Sequence, residues 1–299
     1  MARSGAGPQQ PREDLRALFG LAPEDVRKIE KLADSCVAAD GGRLKLEWRT
    51  LNSRPSDQVN DFVWMLPEDP VGFLGVYGFR ADQVELCGMV HPSHRRQGIF
   101  SRLFEAASAE LTGRGVTQVL LVVDRLYDAG AAFAVSRGGR LEHSEHRMVL
   151  RHEPAGFVPD PLVKVRPAKS PDLAFVVTCL AEAFGFPVEQ LKTDEIEALA
   201  NRYPGTLVFE RRDELLGTVR VERGPDGADV YGFAVTPAHQ GRGIGRQVLS
   251  GLARELVAEG VARVGLEVSS TNDSALGLYL SCGFEVTGTE DYYEVNLAP

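Results

Sequence analysis

Apolar positions in the second half of the chain switch between alternation and a spacing of about 3.6 residues, the marks of a half-buried strand and of an amphipathic helix. Residues 162–165 predict a short strand, and residues 172–184 a helix with Leu173, Val176, Val177 and Leu180 on one face. A second helix is predicted over 189–201. Residues 206–210 and 215–222 read as a hairpin around Arg212 and Asp213, and Gly224-Pro-Asp-Gly227 turns the chain into a strand over 229–235. Ile244, Val248, Leu249, Leu252, Leu256 and Val257 then share one face of a long helix that stops at Gly260. Residues 264–268 predict a buried strand, 274–281 a helix ending at Gly283, and 285–289 with 292–297 a closing hairpin. The first half follows the same plan from Pro23, whose helix carries Val26, Ile29, Leu32, Ala33 and Cys36 on one face. It departs in one respect: no convincing first strand precedes that helix.

This parallel is a sequence repeat. Val90-His-Pro-Ser-His-Arg-Arg-Gln-Gly-Ile-Phe100 matches Val235-Thr-Pro-Ala-His-Gln-Gly-Arg-Gly-Ile-Gly245 at an offset of 145, the separation of Gly98 and Gly243. The same offset pairs Glu110 with Glu255, Gly115 with Gly260, Val119 with Val264, Leu121 with Leu266, Val123 with Val268 and Gly138 with Gly283. Two similar domains are therefore expected, over 21–152 and 162–299, each of α/β class with a mixed, largely antiparallel sheet (α+β). Pro154, Pro159 and Pro161 discourage regular structure between them, and residues 1–20 are expected to form a loose tail.

Composition narrows the function classes. The 299 residues are 43% hydrophobic, enough for a large core, but no apolar run is long enough to cross a bilayer and the first twenty residues lack the apolar stretch of a signal peptide. A cytoplasmic protein is expected, with no membrane partner. The net charge of −9 disfavours nucleic acid and mildly favours a cationic substrate. Cys36, Cys87, Cys179 and Cys282 are scattered without a CxxC pair, which argues against a zinc ribbon or a disulfide scaffold. His91 with His94, and His143 with His146, form HxxH pairs outside a helical HExxH frame and without a third ligand, so no metal is expected. Asn272-Asp-Ser274 matches a glycosylation sequon in a chain without a secretory signal, and no Ser/His/Asp arrangement of recognisable form occurs.

The segment Gln240-Gly-Arg-Gly-Ile-Gly245 lies between a predicted strand and a predicted helix, where successive amides converge on an anion at a positive helix end. Taken alone it reads equally as a plain tight turn. A Walker loop is excluded because no Lys-Ser/Thr follows, and a Rossmann fingerprint because regular βαβ units are absent. A second element follows in the frame N-x-x-A-x-x-L-Y-x-x-x-G-F, formed by Asn272, Ala275, Leu278, Tyr279, Gly283 and Phe284. Residues 235–245 resemble the acetyl-CoA-binding motif of the GNAT superfamily of acyl-CoA N-acyltransferases, Q/R-x-x-G-x-G/A, and residues 267–284 resemble the motif that follows it. The resemblance covers both halves of the chain.

That resemblance implies a sheet that splits at a bulge in the strand before the cradle. It implies that the backbone of Phe233, Ala234 and Val235 pairs with the pantetheine arm of acetyl-CoA, and that the amides of Gln240, Gly241, Arg242, Gly243, Ile244, Gly245 and Arg246 hold the pyrophosphate. Asn272 would bond the pantetheine side, and Tyr279 would protonate the departing thiolate. Free tyrosine near pKa 10 lies above a thiol near 8.5, so complete transfer is uphill by about 2 kcal/mol and hydrogen bonding in the transition state suffices. Outside this frame Tyr279 reads as a core aromatic. The run Leu266-Glu-Val268 with Asn272, Leu278 and Tyr279 is similar to the ribosomal-protein alanine N-acetyltransferases, where the glutamate matching Glu267 is a base. Glu267 reads equally as a strand-end carboxylate, and Asp229 and Glu222 are spare bases. Tyr292 and Tyr293 either wall a peptide site, as in that subfamily, or are simply buried strand aromatics.

The first repeat keeps a possible second CoA site in Met89, Val90, Arg95, Arg96, Gln97, Gly98 and Ile99, with Phe100 crowding the approach. It lacks the chemistry: at the 145 offset Tyr279 falls on Ala134, Asn272 on Tyr127 and Glu267 on Val122. The expected activity is acetyl transfer from acetyl-CoA to a primary amine of a small molecule or peptide. The tandem plan also resembles mycothiol synthase, which acetylates an amino-sugar conjugate. A CoA-binding module without turnover is the competing class.

Overall fold

The structure, a computed structural model, describes residues 14–54, 57–78, 84–152, 158–185, 205–224 and 227–297. The chain forms two compact units, one of residues 1–144 with 288–299 and the other of residues 145–287. In the first unit, strands β1 (Asp14–Phe19), β2 (Val59–Leu66), β3 (Asp69–Gly78), β4 (Val84–Val90) and β5 (Gln118–Asp124) lie in that order, closed by β12 (Phe284–Asn296). All neighbours are antiparallel except β4 and β5. Helices α1 (Pro23–Asp40) and α2 (Trp48–Asn52) precede β2, α3 (Ile99–Gly113) joins β4 to β5, and α4 (Asp128–Ser136) follows β5. The apolar stripe of α3, including Leu103, Ala107 and Leu111, packs with Leu74, Leu86 and Val119. The opposite set, including Phe73 and Met89, packs with Ile29, Leu32 and Cys36 of α1.

The second unit repeats this plan. Its strands run β7 (Val163–Pro167), β8 (Thr206–Arg211), β9 (Glu214–Gly224), β10 (Gly227–Val235) and β11 (Val264–Ser269), closed by β6 (Arg140–Leu150). Helix α5 (Leu173–Phe184) precedes β8, α6 (Ile244–Ala258) joins β10 to β11, and α7 (Asp273–Ser281) follows. The α6 stripe of Ile244, Val248, Leu249, Leu252 and Leu256 is buried as its period predicts, whereas Val257 is 39% exposed and lies off it.

Three expectations change. The chain before Pro23 is not all loose tail, because Asp14–Phe19 pairs antiparallel with β2. As an edge strand with Phe19 exposed, it carries too little buried alternation to be read from pattern. The closing hairpin is instead one 13-residue strand. Glu290 and Asp291, whose polarity suggests a turn, are buried in it, and Asp291 is held by Arg125 and by the Ser144 hydroxyl at 2.6 Å. The closing strands are also exchanged: residues 288–296 complete the first unit's sheet and residues 145–150 the second's, so the units differ there from the repeats over 21–152 and 162–299. The helix predicted over 189–201 lies outside the described residues.

One buried charge pair marks the first unit. The Arg54 guanidinium donates to the Asp61 carboxylate at 3.0 Å and stands 4.7 Å from the Tyr77 ring centroid, with Asp61 0% exposed. Burial pushes the Asp61 carboxyl up to about 6, against the lowering effect of Arg54. Removing one partner strands the other charge, so Arg54→Met is expected to destabilise this unit by about 3–5 kcal/mol in urea unfolding. Because the folded pKa exceeds the unfolded value near 3.9, the associated stability is present at acid pH and lost as pH rises through about 6. Relative to Asp61→Asn, the wild type should lose on the order of 3 kcal/mol between pH 4 and 7.5. A pH-independent difference would contradict this.

Candidate active site

Each sheet opens at its parallel pair. In the second unit β10 and β11 pair only over Ala228–Val230 with Val264–Leu266, after which β10 runs on with a free edge. The register of β10 against β9 shifts between Tyr231 and Ala234, where Gly232 adopts φ 53°, a left-handed conformation that suits glycine. Beyond this bulge the Thr236 N–H donates to Leu216 C=O, so by strand alternation the Phe233 and Val235 peptide groups face the open edge. In the first unit β4 and β5 pair only over Val84–Leu86 with Val119–Leu121, but β4 keeps unbroken register with β3. The expected bulge thus occurs in the second unit.

The two cradles share one backbone conformation. Gly243 (φ 76°, ψ 2°) and Gly98 (φ 80°, ψ 3°) are the left-handed N-caps of α6 and α3. Gly241 at φ 71° is matched by Arg96 at φ 62°. The first α6 amide with a helical-pattern acceptor is that of Gln247, to Gly243 C=O at 3.0 Å, and the first in α3 is that of Arg102, to Gly98 C=O at 3.1 Å. The preceding amides of each first turn are the orphan donors that suit an anion. Gln240 Nε2 donates to Val235 C=O at 2.9 Å, and Arg95 Nε does the same to Val90 C=O at 3.0 Å, so both loops are tied back to the strand they leave.

Phe100 lines the first unit's cleft beside its cradle, where the sequence places it. Its ring lies against Gly88, where an added Cβ would come 3.0 Å from it, and packs edge-on to Phe133 at 4.8 Å. In the second unit the sizes are reversed, with Phe233 beside Gly245. One aromatic fills the same position from opposite sides.

The second motif places its residues as follows. Asn272 is the N-cap of α7, its Oδ1 accepting the Ala275 N–H at 3.0 Å, which leaves its side-chain NH2 outside the cap. Tyr279 is 8% exposed, near Phe284 and within the core that α6 and α7 cover. Among the described residues its hydroxyl has no hydrogen-bond partner. Burial pushes its phenol up to about 12, with Cys282 adding to the rise, so it is a neutral donor at ordinary pH. Glu267 is half-buried on β11, on the opposite face from Leu266 and Val268. Asp229 shares that face but is held on both oxygens by Arg263 at 2.8 and 2.6 Å, which ties up this spare base. Glu222 stands opposite Asp229 in the β9–β10 ladder.

In the first unit a cleft of about 800 Å3 lies along β4 and β5, lined by Met89, Val90, Arg95, Arg96, Gly98 and Ile99, though not by Gln97. The Ala134 that stands for Tyr279 is fully buried, and Val122 stands for Glu267. Tyr127, at the Asn272 position, donates its hydroxyl to Gly41 C=O, and the Arg43 N–H donates to Asp124 at 2.9 Å. Lys45 donates to the Tyr292 hydroxyl. These contacts fasten the loop after α1 to the end of β5 and to β12, a feature without a sequence signal. Tyr292 itself is buried with Leu120 and Val122, stacked on His143 at 4.2 Å. His91 and His94 both bond Ser93, and among the described residues no group of three or more His, Cys, Asp and Glu could hold a metal. No helix among the described residues is long and apolar enough to cross a membrane.

Comparison with known proteins agrees with this geometry. The model of the acetyltransferase (GNAT) family matches twice, over residues 26–138 and 174–284. The mycothiol acetyltransferase of Brachybacterium faecium is 29% identical over 243 residues, 75% of this chain and 70% of that protein. The ribosomal protein bS18-alanine N-acetyltransferase of Escherichia coli K12 is 44% identical over 69 residues, 23% of this chain and 47% of that protein. Among solved structures, the GCN5-related N-acetyltransferase of Sphaerobacter thermophilus superposes with a TM-score of 0.80 at 18% identity, covering 96% of each chain. The chain belongs to the GNAT family of acetyltransferases and carries two copies of its fold.

Proposed function

We propose that the second unit transfers the acetyl group of acetyl-CoA directly to a primary amine, and that the first unit holds a CoA without transferring from it. The supporting observation is the unequal equipment of two like cradles: both have orphan amides at a helix start and an open strand edge, but only the second has Tyr279, Glu267 and Asn272. Phe233 and Val235 offer main-chain groups to pantetheine as an added strand would use them. The amides of residues 241–246 take the pyrophosphate, and the Asn272 NH2 donates to the pantetheine arm. Glu267 receives the proton of the incoming ammonium, directly or through water, the strand amides stabilise the oxyanion, and Tyr279 donates to the departing sulfur.

For the acceptor, an amino-sugar conjugate is favoured over a protein N-terminus. The mycothiol acetyltransferase likeness spans both repeats, whereas the alanine acetyltransferase likeness stops at 69 residues. The test is CoA release from acetyl-CoA with amino sugars and their conjugates, aminoglycosides, polyamines and peptides with N-terminal alanine. Acceptor-dependent release with an amino-sugar amine is expected. Release only with peptides would reverse the acceptor, and acetyl-CoA binding without release for any amine would favour a binding module.

A further inference from the structure

Strand β11 has β6 as its second neighbour, and the part of β6 that belongs to this unit, residues 145–150, comes from the first sequence repeat. In that antiparallel ladder Glu267 stands directly opposite Arg147, between the pairs Leu266 with Met148 and Val268 with His146. Directly opposed residues share a face with Cβ atoms about 4.5–5.5 Å apart, within reach of a guanidinium and a carboxylate. Both side chains are half-buried, and each is engaged in a polar or electrostatic interaction.

The first unit supplies an internal control. Its corresponding ladder pairs Val122 with Tyr292, the residues at the 145 offset from Glu267 and Arg147, and the two pack in an apolar cluster with Leu120. Where the base position is valine its cross-strand neighbour is an aromatic, and where it is a carboxylate the neighbour is an arginine. The two positions have changed character together although each pair joins residues from different repeats.

We propose that Arg147 is a positioning residue for the second unit's active site, its guanidinium fixing the Glu267 carboxylate in one ionised orientation toward the acceptor ammonium. The inference rests on Glu267 as the base. Among the described residues of the neighbouring strands, the other ionisable groups on this face are Glu145 of β6, Tyr231 and Asp229 of β10 with Arg263 on Asp229, and Glu222 and Arg220 of β9. Arg263 is engaged by Asp229 and Arg220 lies over Tyr231, which among the described residues leaves Arg147 as the cation directly facing Glu267. The catalytic unit would then be incomplete without a strand from the decayed repeat.

The experiment measures kcat from pH 5 to 9, with saturating acetyl-CoA and the best amine, for Arg147→Met, Arg147→Lys, Glu267→Gln and the Arg147→Met/Glu267→Gln double variant. Arg147→Met should lower kcat roughly tenfold and move its acid limb up by about one pH unit, since losing a cation disfavours the carboxylate. Arg147→Lys should restore the limb while recovering only part of kcat, because the fork geometry is lost. Acetyl-CoA affinity should be unchanged, and Arg147→Met should cost nothing further in the Glu267→Gln background. A folded Arg147→Met with wild-type kcat and limb, beside an impaired Glu267→Gln, overturns this inference and leaves the base in place. Wild-type activity of Glu267→Gln overturns both. Should Arg147→Met not fold, Arg147→Lys and Arg147→Gln decide by the same acid limb.

Discussion

Replacing Tyr279 by phenylalanine is expected to lower turnover by roughly 10²- to 10⁴-fold while leaving acetyl-CoA affinity nearly unchanged, the pattern of a group that acts mainly in the transition state. The ring is part of the α6–α7 core and phenylalanine keeps it, so the variant should fold normally. With the phenol pushed up to about 12 by burial, full proton transfer to a thiolate near 8.5 is uphill by about 5 kcal/mol. In the proposed mechanism Tyr279 would therefore act as a hydrogen-bond donor to developing charge on sulfur rather than by full proton transfer. The pH dependence follows: this donor stays protonated until pH approaches 12, so it contributes no basic limb below about pH 11. Steady-state kinetics over pH 6–10 with calorimetric acetyl-CoA binding checks both points. Near-wild-type turnover in Tyr279→Phe would remove the residue from the mechanism and leave it a core aromatic.

Gly243→Glu should abolish acetyl transfer. The residue caps α6 in the left-handed region with no neighbouring heavy atom within 4 Å of an added Cβ, so beyond its own backbone strain glutamate meets open space and places a carboxylate where orphan amides would meet phosphate. Gly98 has the same φ and the same open surroundings at α3, so Gly98→Glu carries an equal backbone cost, about 1–2 kcal/mol. The pair is matched: differences between the variants report on the ligand and not on folding. Calorimetry should find two acetyl-CoA per wild-type chain and one in each variant. A single site in the wild type, lost only with Gly243→Glu, would make the first unit a scaffold without ligand.

Much of the fold is visible in periodicity. The α6 and α1 stripes, the repeat at 145 and the strand before each cradle depend on local spacing, which burial enforces within one element. Partner choice between strands is not local. Periodicity suggests strands over 285–289 and 292–297, but nothing in it states that residues 288–296 close the sheet of the first repeat and 145–150 that of the second, so the Glu267–Arg147 and Val122–Tyr292 pairs were out of reach. Asp229 as a spare base failed for a like reason, since Arg263 meets it through tertiary folding. Phe100 shows the limit of position-by-position comparison: its exchange for Gly245 is matched by that of Gly88 for Phe233, so an aromatic stands beside each cradle. The backbone form of the loop was legible because Gly241 and Gly243 stand just ahead of the helix that starts at Ile244.

Acceptor-dependent CoA release from wild type, Gly243→Glu and Gly98→Glu, with each variant's folding checked by thermal melting, separates a transferring second unit beside a first unit that only binds from the reverse. Background release is expected for Gly243→Glu and most of the wild-type rate for Gly98→Glu. Loss of release in folded Gly98→Glu, with release surviving in Gly243→Glu, would contradict it and move the chemistry to the first unit.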